Sequence, residues 1–352
     1  MMNETEFRVL DVLSRSMGNP VSISGLTKEI RLLYRSAYYS NIYRALMSLS
    51  KDSTIRIEKH GRSSILSLNF DNYLLPDLLA QVELEKKRNF LEVWPEAQSL
   101  FASLDALGRL TFVESVALID PQHNMKLNRA ELLTVIDERT GDRLDRMRDL
   151  IRGTWRRFIR TTHLIITEEE LIDSLKSQEK NPVREMLSNR VILYSPCRFW
   201  ALIRNAYTNG MRIRFETKQT NPLEISESDL TYNMSRFGYI ELGPEVKRGT
   251  EISIEYVVAS IFLGEDKRRI VAVPVLLAKT KPNYRLLAFL SQKYGFADKL
   301  LGVLVLLRKT TSSEELESTI TDLEETGIRP ARLDENHIRN TMLLYGVGAG
   351  QT

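Results

Sequence analysis

The sequence predicts an α+β protein with a helical N-terminal segment ending in a β-hairpin, a central α/β segment with a small mixed sheet, and a mostly helical C-terminal third. Apolar residues recur at helical spacing through the first 50 positions, and two strand-forming runs then flank Gly61. From Pro95 strand-like and helix-like segments alternate, and after residue 210 helical spacing returns. These changes predict a first domain, a connecting helix, a central domain and a C-terminal domain at residues 1–72, 73–94, 95–209 and 210–352.

The composition describes a protein that buries a core and gives no sign of a metal centre. Of 352 residues, 43% are hydrophobic, which excludes a wholly disordered chain. The single cysteine, Cys197, excludes an internal disulfide and fits a reducing cytoplasm. The four histidines are scattered, so we expect no metal site and no cofactor. The longest apolar runs, Val271–Ala278 and Leu300–Leu307, are too short to cross a membrane, and no signal-peptide core follows Met1.

The net charge of +3 is small, but the positive charge is concentrated in two segments. Residues 1–70 hold ten Lys or Arg against six acidic residues, and residues 141–160 hold seven Arg against three Asp. Each segment therefore carries +4, and the rest of the chain is acidic. These two segments are the candidates for contact with an anionic partner.

Three helices are predicted before the hairpin. One apolar stripe runs from Phe7 to Met17 and another from Ile23 to Leu33, with a break between them. A third helix is predicted from about Ser36 to Lys51. Its apolar side comprises Tyr38, Ile42, Ala45, Leu46 and Leu49. Its polar side and flanks comprise Ser40, Asn41, Tyr43, Arg44, Met47 and Lys51.

A hairpin is predicted next, because strand-forming residues at Ile55–His60 and Ile65–Leu68 flank a turn at Gly61-Arg62. Over residues 4–70, three helices followed by a hairpin with a basic tip resemble the winged helix-turn-helix of transcription regulators. The resemblance implies that the third helix enters the major groove of duplex DNA. The residues expected to contact DNA are Ser40, Asn41, Tyr43, Arg44 and Lys51 on the helix, and His60 and Arg62 on the hairpin. Winged helices also bind proteins, so a purely protein-binding role stays open.

The connecting segment Leu74–Trp94 predicts one long helix that begins near Pro76. Glu83 and Lys87 have the spacing of an i,i+4 ion pair. A helix after the hairpin commonly pairs two subunits in such regulators. A homodimer through the helix at 73–94 or through the C-terminal helices is therefore one hypothesis, and packing on the same chain is the other.

The central segment predicts strands near residues 112–120, 130–137, 163–166 and 191–194, with helices between them. From about Ser115 to Tyr207 this order resembles the small nucleotidyltransferase domain that some prokaryotic and archaeal proteins fuse to a winged helix. In that family a Gly-Ser pair after the first strand holds the nucleotide phosphates. Carboxylates of an Asp-x-Asp on the second strand, and of a third Asp on a later strand, hold two metal ions.

This chain departs from that family at each position that would carry the chemistry. Asp120-Pro121 replaces Gly-Ser, and proline has no amide hydrogen to offer a phosphate. Arg129-Ala130-Glu131 replaces Asp-x-Asp, and Thr161-Thr162-His163 supplies no carboxylate on the later strand. The resemblance therefore implies a degenerate domain without catalytic activity, and we expect the protein not to be an enzyme.

Three further hypotheses concern the same domain. The first is that Asp120, Glu131 and Asp137 together form an unconventional metal site. Arg129 with His163 could instead hold a phosphate in a sensor pocket. The third hypothesis is that the domain is only a scaffold.

Residues 143–160 predict an arginine-rich helix anchored by an apolar stripe. Arg152, Arg156 and Arg157 are candidates for auxiliary contacts with DNA phosphates. Aspartates lie within about two turns of them, so an internal charge network is the alternative.

The C-terminal third predicts helices broken by glycines and prolines, and Cys197 before it is expected to be buried. Taken together, the sequence predicts a cytoplasmic DNA-binding protein that regulates transcription. Its partner would be double-stranded DNA, and its central domain would serve assembly or ligand sensing. An atypical nucleotidyltransferase and a protein-interaction adaptor are the alternatives.

Overall fold

A computed structural model of the protein describes residues 2–61, 63–98, 110–137, 160–241, 246–311 and 313–348. These residues form an α+β fold with two small sheets, as predicted. They divide into two compact units, the first comprising 1–177 with 183–219 and the second comprising 178–182 with 220–352. Within the described ranges, no helix is both long enough and apolar enough to cross a membrane.

The first unit begins with three helices and a three-stranded sheet. The elements are α1 Glu4–Arg15, β1 Val21–Ser22, α2 Ile23–Tyr34, α3 Tyr39–Lys51, β2 Ile55–His60 and β3 Ser63–Leu68. The predicted hairpin is confirmed, since β2 and β3 pair antiparallel along their whole length. The two-residue strand β1, which was not predicted, pairs with β3 and gives the order β1-β3-β2. Side chains of Asn3 and Ser22 cap α1 and α2.

The apolar sides of the three helices meet in one core, as their spacing predicts. Leu10, Leu26, Ile42 and Leu46 are almost completely buried. Tyr38 and Leu33 are exceptions to the prediction. Tyr38 is the N-cap of α3 and is 72% exposed, and Leu33, the last residue of the predicted stripe of α2, is 44% exposed. The left-handed backbone that ends α2 is followed by non-helical residues 36–38, so the predicted first turn of α3 does not form.

A long helix and a four-stranded sheet complete the core of the first unit. Helix α4 spans Leu75–Val93 and precedes a 3-10 turn at Pro95–Ala97. The strands are β4 Val113–Ile119, β5 Arg129–Ile136, β6 Arg160–Thr167 and β7 Arg190–Tyr194. Their order is β6-β5-β4-β7, with β5 and β6 parallel and the other pairs antiparallel. The small mixed sheet is therefore as predicted.

Four helices connect or follow these strands. They are α5 Pro121–Lys126, α6 Glu168–Lys176, α7 Pro182–Ser188 and α8 Pro196–Thr208. Phe90 of α4 joins Val116, Leu118, Leu132 and Leu193 in the core on one face of the sheet. The connecting helix thus packs on its own chain, which supports the second of the two hypotheses for it.

The second unit is mostly helical, as predicted. A 3-10 turn at Pro222–Glu224 precedes its helices. These are α9 Glu227–Arg236, α10 Ile254–Gly264, α11 Lys267–Ile270, α12 Val273–Lys279, α13 Tyr284–Tyr294, α14 Ala297–Leu307, α15 Glu314–Glu325 and α16 Glu335–Leu344. Arg269 makes ion pairs with Glu227 and Glu241, which fix the start of α9 to α11.

Candidate functional site

The polar side of α3 faces solvent and forms one continuous surface. Ser40, Asn41, Tyr43, Arg44 and Lys51 are all exposed on this helix, whereas its apolar residues are buried. We call these five residues the α3 face. The structure therefore brings together the five helix residues that the sequence singles out.

Arg44 is held in place by the preceding turn of α3. Its Nη2 donates a hydrogen bond to Asn41 Oδ1 at 2.7 Å, and its Nε donates to the Ser40 carbonyl at 3.4 Å. Asn41 and Arg44 are both exposed, so their other N–H groups are accessible to a ligand. The α3 face thus presents a fixed guanidinium beside an amide.

Aromatic side chains flank the α3 face. The rings of Tyr39 and Tyr43 stack at 6.3 Å between centroids, with an angle of 21° between their planes. Tyr38 and, on α2, Leu32 and Leu33 are also exposed. Sequence periodicity assigned Tyr38 to the core and gave Tyr39 no role, because spacing does not distinguish a buried ring from an exposed one.

Several predicted contact residues lie outside the described part of the chain. These are Arg62, Arg152, Arg156 and Arg157, together with the side chain of His60. Their expected contacts with DNA stay predictions. The backbone of the hairpin that carries His60 is described up to Gly61.

Beneath α1 lies a buried ionic network that begins at Asp11. The carboxylate accepts hydrogen bonds from Arg15 Nε at 2.9 Å and from the Tyr34 hydroxyl at 2.7 Å, and Lys86 Nζ lies 3.4 Å away. Burial alone would raise the pKa of Asp11. The nearby charges of Arg15 and Lys86 and the Tyr34 hydrogen bond outweigh burial and hold this pKa well below its usual range. Asp11 is therefore a permanent anion that fixes the end of α2 to α1 and α4.

Glu83 of α4 continues this network toward β7. One carboxylate oxygen lies 3.2 Å from both Lys86 Nζ and Arg190 Nη2, and the other accepts from the Ile192 amide at 3.1 Å. The Arg190 guanidinium also lies 4.8 Å from the centre of the Trp200 ring. Burial lowers the pKa of Lys86 and of Arg190. The nearby Glu83 carboxylate acts in the opposite direction on both pKa values but does not outweigh burial. The carboxylate of Glu83 is the anion between two buried cations.

The predicted i,i+4 pair between Glu83 and Lys87 is wrong. Glu83 points to the interior and pairs at i+3 with Lys86. Lys87 instead donates from Nζ to the Leu193 carbonyl at 3.1 Å. Glu83 lies on the side of α4 that packs against the sheet. It therefore does not reach the solvent-exposed side of the helix, where an i,i+4 ion pair would form.

The end of β4 is closed to a phosphate by contacts within the protein. The Asp120 amide donates to the Asn189 carbonyl at 2.8 Å, and Asp120 Oδ1 accepts from Asn189 Nδ2 at 2.8 Å. The next residue, Pro121, has no amide hydrogen. Of the two positions that the sequence analysis compared with Gly-Ser, Asp120 therefore has an engaged amide and Pro121 has none.

The hypothesis of a metal site at Asp120, Glu131 and Asp137 is wrong. Glu131 is paired with Ile119 at the end of β4 that precedes Asp120, whereas Asp137 follows the opposite end of β5. Six positions along a strand separate the two acids by about 20 Å. Across the described ranges, no three His, Cys, Asp or Glu residues are grouped so that they could bind a metal ion.

The hypothesis of a phosphate site between Arg129 and His163 is also wrong. His163 is aligned with Leu132, three positions from Arg129, so the two side chains leave opposite faces of the sheet. Arg129 Nε donates to Asn124 Oδ1 at 2.8 Å, and His163 Nε2 shares a hydrogen bond of 2.7 Å with the Thr134 hydroxyl.

We expect His163 to make the stability of the protein depend on pH. Burial lowers the pKa of His163 from 6.5 to about 3. Below pH 6.5 the unfolded chain takes up a proton that the folded chain does not take up until about pH 3, so stability falls as pH falls through that window. The loss is at most about 1.4 kcal/mol per pH unit. We expect His163→Gln to lose less stability between pH 6.5 and 5 than the unchanged protein in urea unfolding; an identical loss would contradict this assignment.

A cleft of about 690 Å³ lies in the first unit between the N-terminal helices and the ends of β4 and α7. Its lining includes Arg15, Lys28, Glu29, Asp120 and Asn189, and so holds both charge signs. The volume is in the range of small-molecule sites. The cleft borders α2, the helix that precedes α3.

Cys197 is exposed, so its predicted burial is wrong. It follows Pro196 at the first turn of α8, where its Sγ lies 3.7 Å from Asp77 Oδ1. Partial burial and then the Asp77 carboxylate raise the pKa of the thiol. A raised pKa disfavours the thiolate, which is the nucleophilic form of cysteine.

Comparison of the chain with protein-family models, with curated proteins and with solved structures finds no match. The α3 face combines the Arg44 guanidinium with the Asn41 amide and the exposed Tyr43, and the exposed Tyr38 and Tyr39 lie beside it.

Proposed function

We propose that the protein is a DNA-binding regulator of transcription that places α3 in the major groove of duplex DNA. The observation that carries the proposal is the exposed α3 face, where Asn41 and Arg44 offer N–H groups from adjacent turns. An α-helix fits the width of the major groove, where the base edges are accessible. The element order and the strand order β1-β3-β2 support a winged helix-turn-helix.

The residues of the α3 face would divide their roles. Arg44 and Asn41 would contact base edges, while Ser40, Tyr43 and Lys51 would contact phosphate oxygens. His60 and Arg62 on the hairpin would contact phosphate or the minor groove. The central domain would act without catalysis, in assembly or in sensing a ligand, for which the cleft beside α2 has a suitable volume.

Fluorescence anisotropy with a labelled random duplex tests the proposal. The full-length protein is expected to bind with an affinity that falls steeply as the salt concentration rises, because Lys and Arg side chains of the bound protein release counterions from the DNA phosphates. On a duplex selected for tight binding by the full-length protein, Arg44→Ala is expected to weaken binding by about 1–3 kcal/mol.

The matched control is Arg88→Ala, which removes the same charge from an exposed site on α4. Its affinity should be close to that of the unchanged protein. Duplex affinity that is absent at every salt concentration would refute the proposal. Equal losses for Arg44→Ala and Arg88→Ala would remove Arg44 from the contact surface.

A second candidate function is protein binding through the same region. The exposure of Leu32, Leu33, Tyr38 and Tyr39 favours it, because grouped apolar side chains on a surface mark interaction sites. A protein partner would leave no salt-dependent affinity for any duplex. The anisotropy titration therefore separates the two functions.

A further inference from the structure

We infer that Arg44 and Asn41 make the α3 face selective for guanine, so that the preferred duplex carries a G where Arg44 meets the major groove. The inference rests on the proposed function. It concerns which base is bound, and it follows from the hydrogen bond between these two side chains.

The pair presents hydrogen-bond donors to the groove. An asparagine amide ordinarily offers one acceptor oxygen and two N–H donors. Here the Asn41 oxygen already accepts from Arg44 Nη2 at 2.7 Å. Arg44 has only donors, so the N–H groups that it does not use for Ser40 and Asn41 remain for a ligand, together with the amide N–H groups of Asn41. An adenine contact of the usual kind needs the asparagine oxygen turned to the N6 amino group and an amide N–H turned to N7. The amide oxygen keeps a second lone pair, but the bond to Arg44 holds that oxygen toward Arg44 and turns the N–H groups of Asn41 away from it.

Guanine is the base whose edge fits a set of donors. In the major groove guanine shows two acceptors, N7 and O6. Adenine and cytosine each present an amino donor, which would face the donors of Arg44 and Asn41. Thymine has one acceptor beside a methyl group. A two-bond contact between Arg44 and guanine is expected to favour G over the other bases by about 5- to 150-fold.

Arg44 is also fixed before DNA arrives. Its Nε points to the Ser40 carbonyl and its Nη2 to Asn41, so two points hold a side chain that otherwise has many rotamers. A side chain that is already ordered loses less entropy on binding. The fixed guanidinium plane selects for a base edge with two acceptors in that plane.

The experiment selects duplexes from a randomised library with the full-length protein and with Arg44→Gln. The unchanged protein is expected to enrich a G, and replacing that G by 7-deazaguanine should weaken anisotropy-measured binding by about 5-fold or more, because N7 is lost. A glutamine amide can present one of its N–H donors beside its acceptor oxygen, the pattern that matches adenine. Arg44→Gln should therefore enrich A at the same position.

Arg88→Gln is the matched control, and it should keep the G. Two outcomes would overturn the inference and leave the proposed function standing. In the first, binding depends on salt but no base is enriched. In the second, the unchanged protein and Arg44→Gln enrich the same base. A protein without salt-dependent affinity for duplex DNA would overturn both. A shift from G to A cannot come from a purely structural loss, because misfolding lowers affinity without choosing a new base.

Discussion

Replacing Glu83 by glutamine is expected to destabilise the first unit by about 3–5 kcal/mol. The substitution keeps the shape of the side chain and an oxygen that can accept from the Ile192 amide. It removes the negative charge between Lys86 and Arg190, both of which are buried. Lys86 keeps its contact with Asp11, whereas Arg190 loses its ion pair with Glu83, and a buried cation that loses its partner keeps its full cost of desolvation.

Urea unfolding followed by tryptophan fluorescence measures this loss, because Trp94 and Trp200 lie in the first unit. Glu85→Gln is the matched control on the same helix. Glu85 pairs with the exposed Arg88, and surface pairs of this kind contribute about 0–1 kcal/mol. Equal unfolding midpoints for the two variants would show that the charge of Glu83 is not needed.

We expect Gly18→Ala to destabilise the same unit by about 2–5 kcal/mol. Gly18 has φ +79°, which costs other residues about 1–2 kcal/mol. A Cβ there would lie 2.2 Å from the Ile213 carbonyl oxygen, and that backbone is fixed because the Phe215 amide donates to the Met17 carbonyl at 2.9 Å. Relieving such a clash costs about 1–3 kcal/mol more.

Gly210→Ala separates the two contributions. Gly210 has φ +78°, and no atom lies within 4 Å of the Cβ that would be added. This variant should show the conformational cost alone, about 1–2 kcal/mol, in the same urea titration. If both glycine variants unfold at one midpoint, the close approach of residues 213–215 to Gly18 contributes nothing.

Much of the fold follows from periodicity along the chain. The buried positions Ile42, Leu46 and Leu49 recur with the helical period, and the hairpin alternates about a glycine turn, so both were predictable. The exposed polar side of α3 follows from the same helical period. Strand β1 was missed because two residues are too short to show any pattern.

Contacts between distant parts of the chain were not predictable in this way. Sequence spacing pairs Glu83 with Lys87, because spacing along one helix identifies only nearby partners. In the structure, Glu83 forms an ion pair with Arg190 on β7. The hypotheses for Asp137 and for His163 failed for a related reason. They depend on how β4, β5 and β6 are aligned with one another, and nothing in one strand's own sequence sets the alignment with its neighbour.

The buried ionic network also bears on how the chain is made. Arg15 and its hydrogen-bond partner Asn189 are 174 positions apart. At about 5–20 residues per second, a ribosome needs roughly 10–35 s to add the residues between them. During that interval Arg15 and Asp11 lack part of their final surroundings. Water must then solvate the charged groups of these two side chains in place of the missing protein contacts. The N-terminal helices of the nascent chain therefore reach their final packing only after β7 has been synthesised.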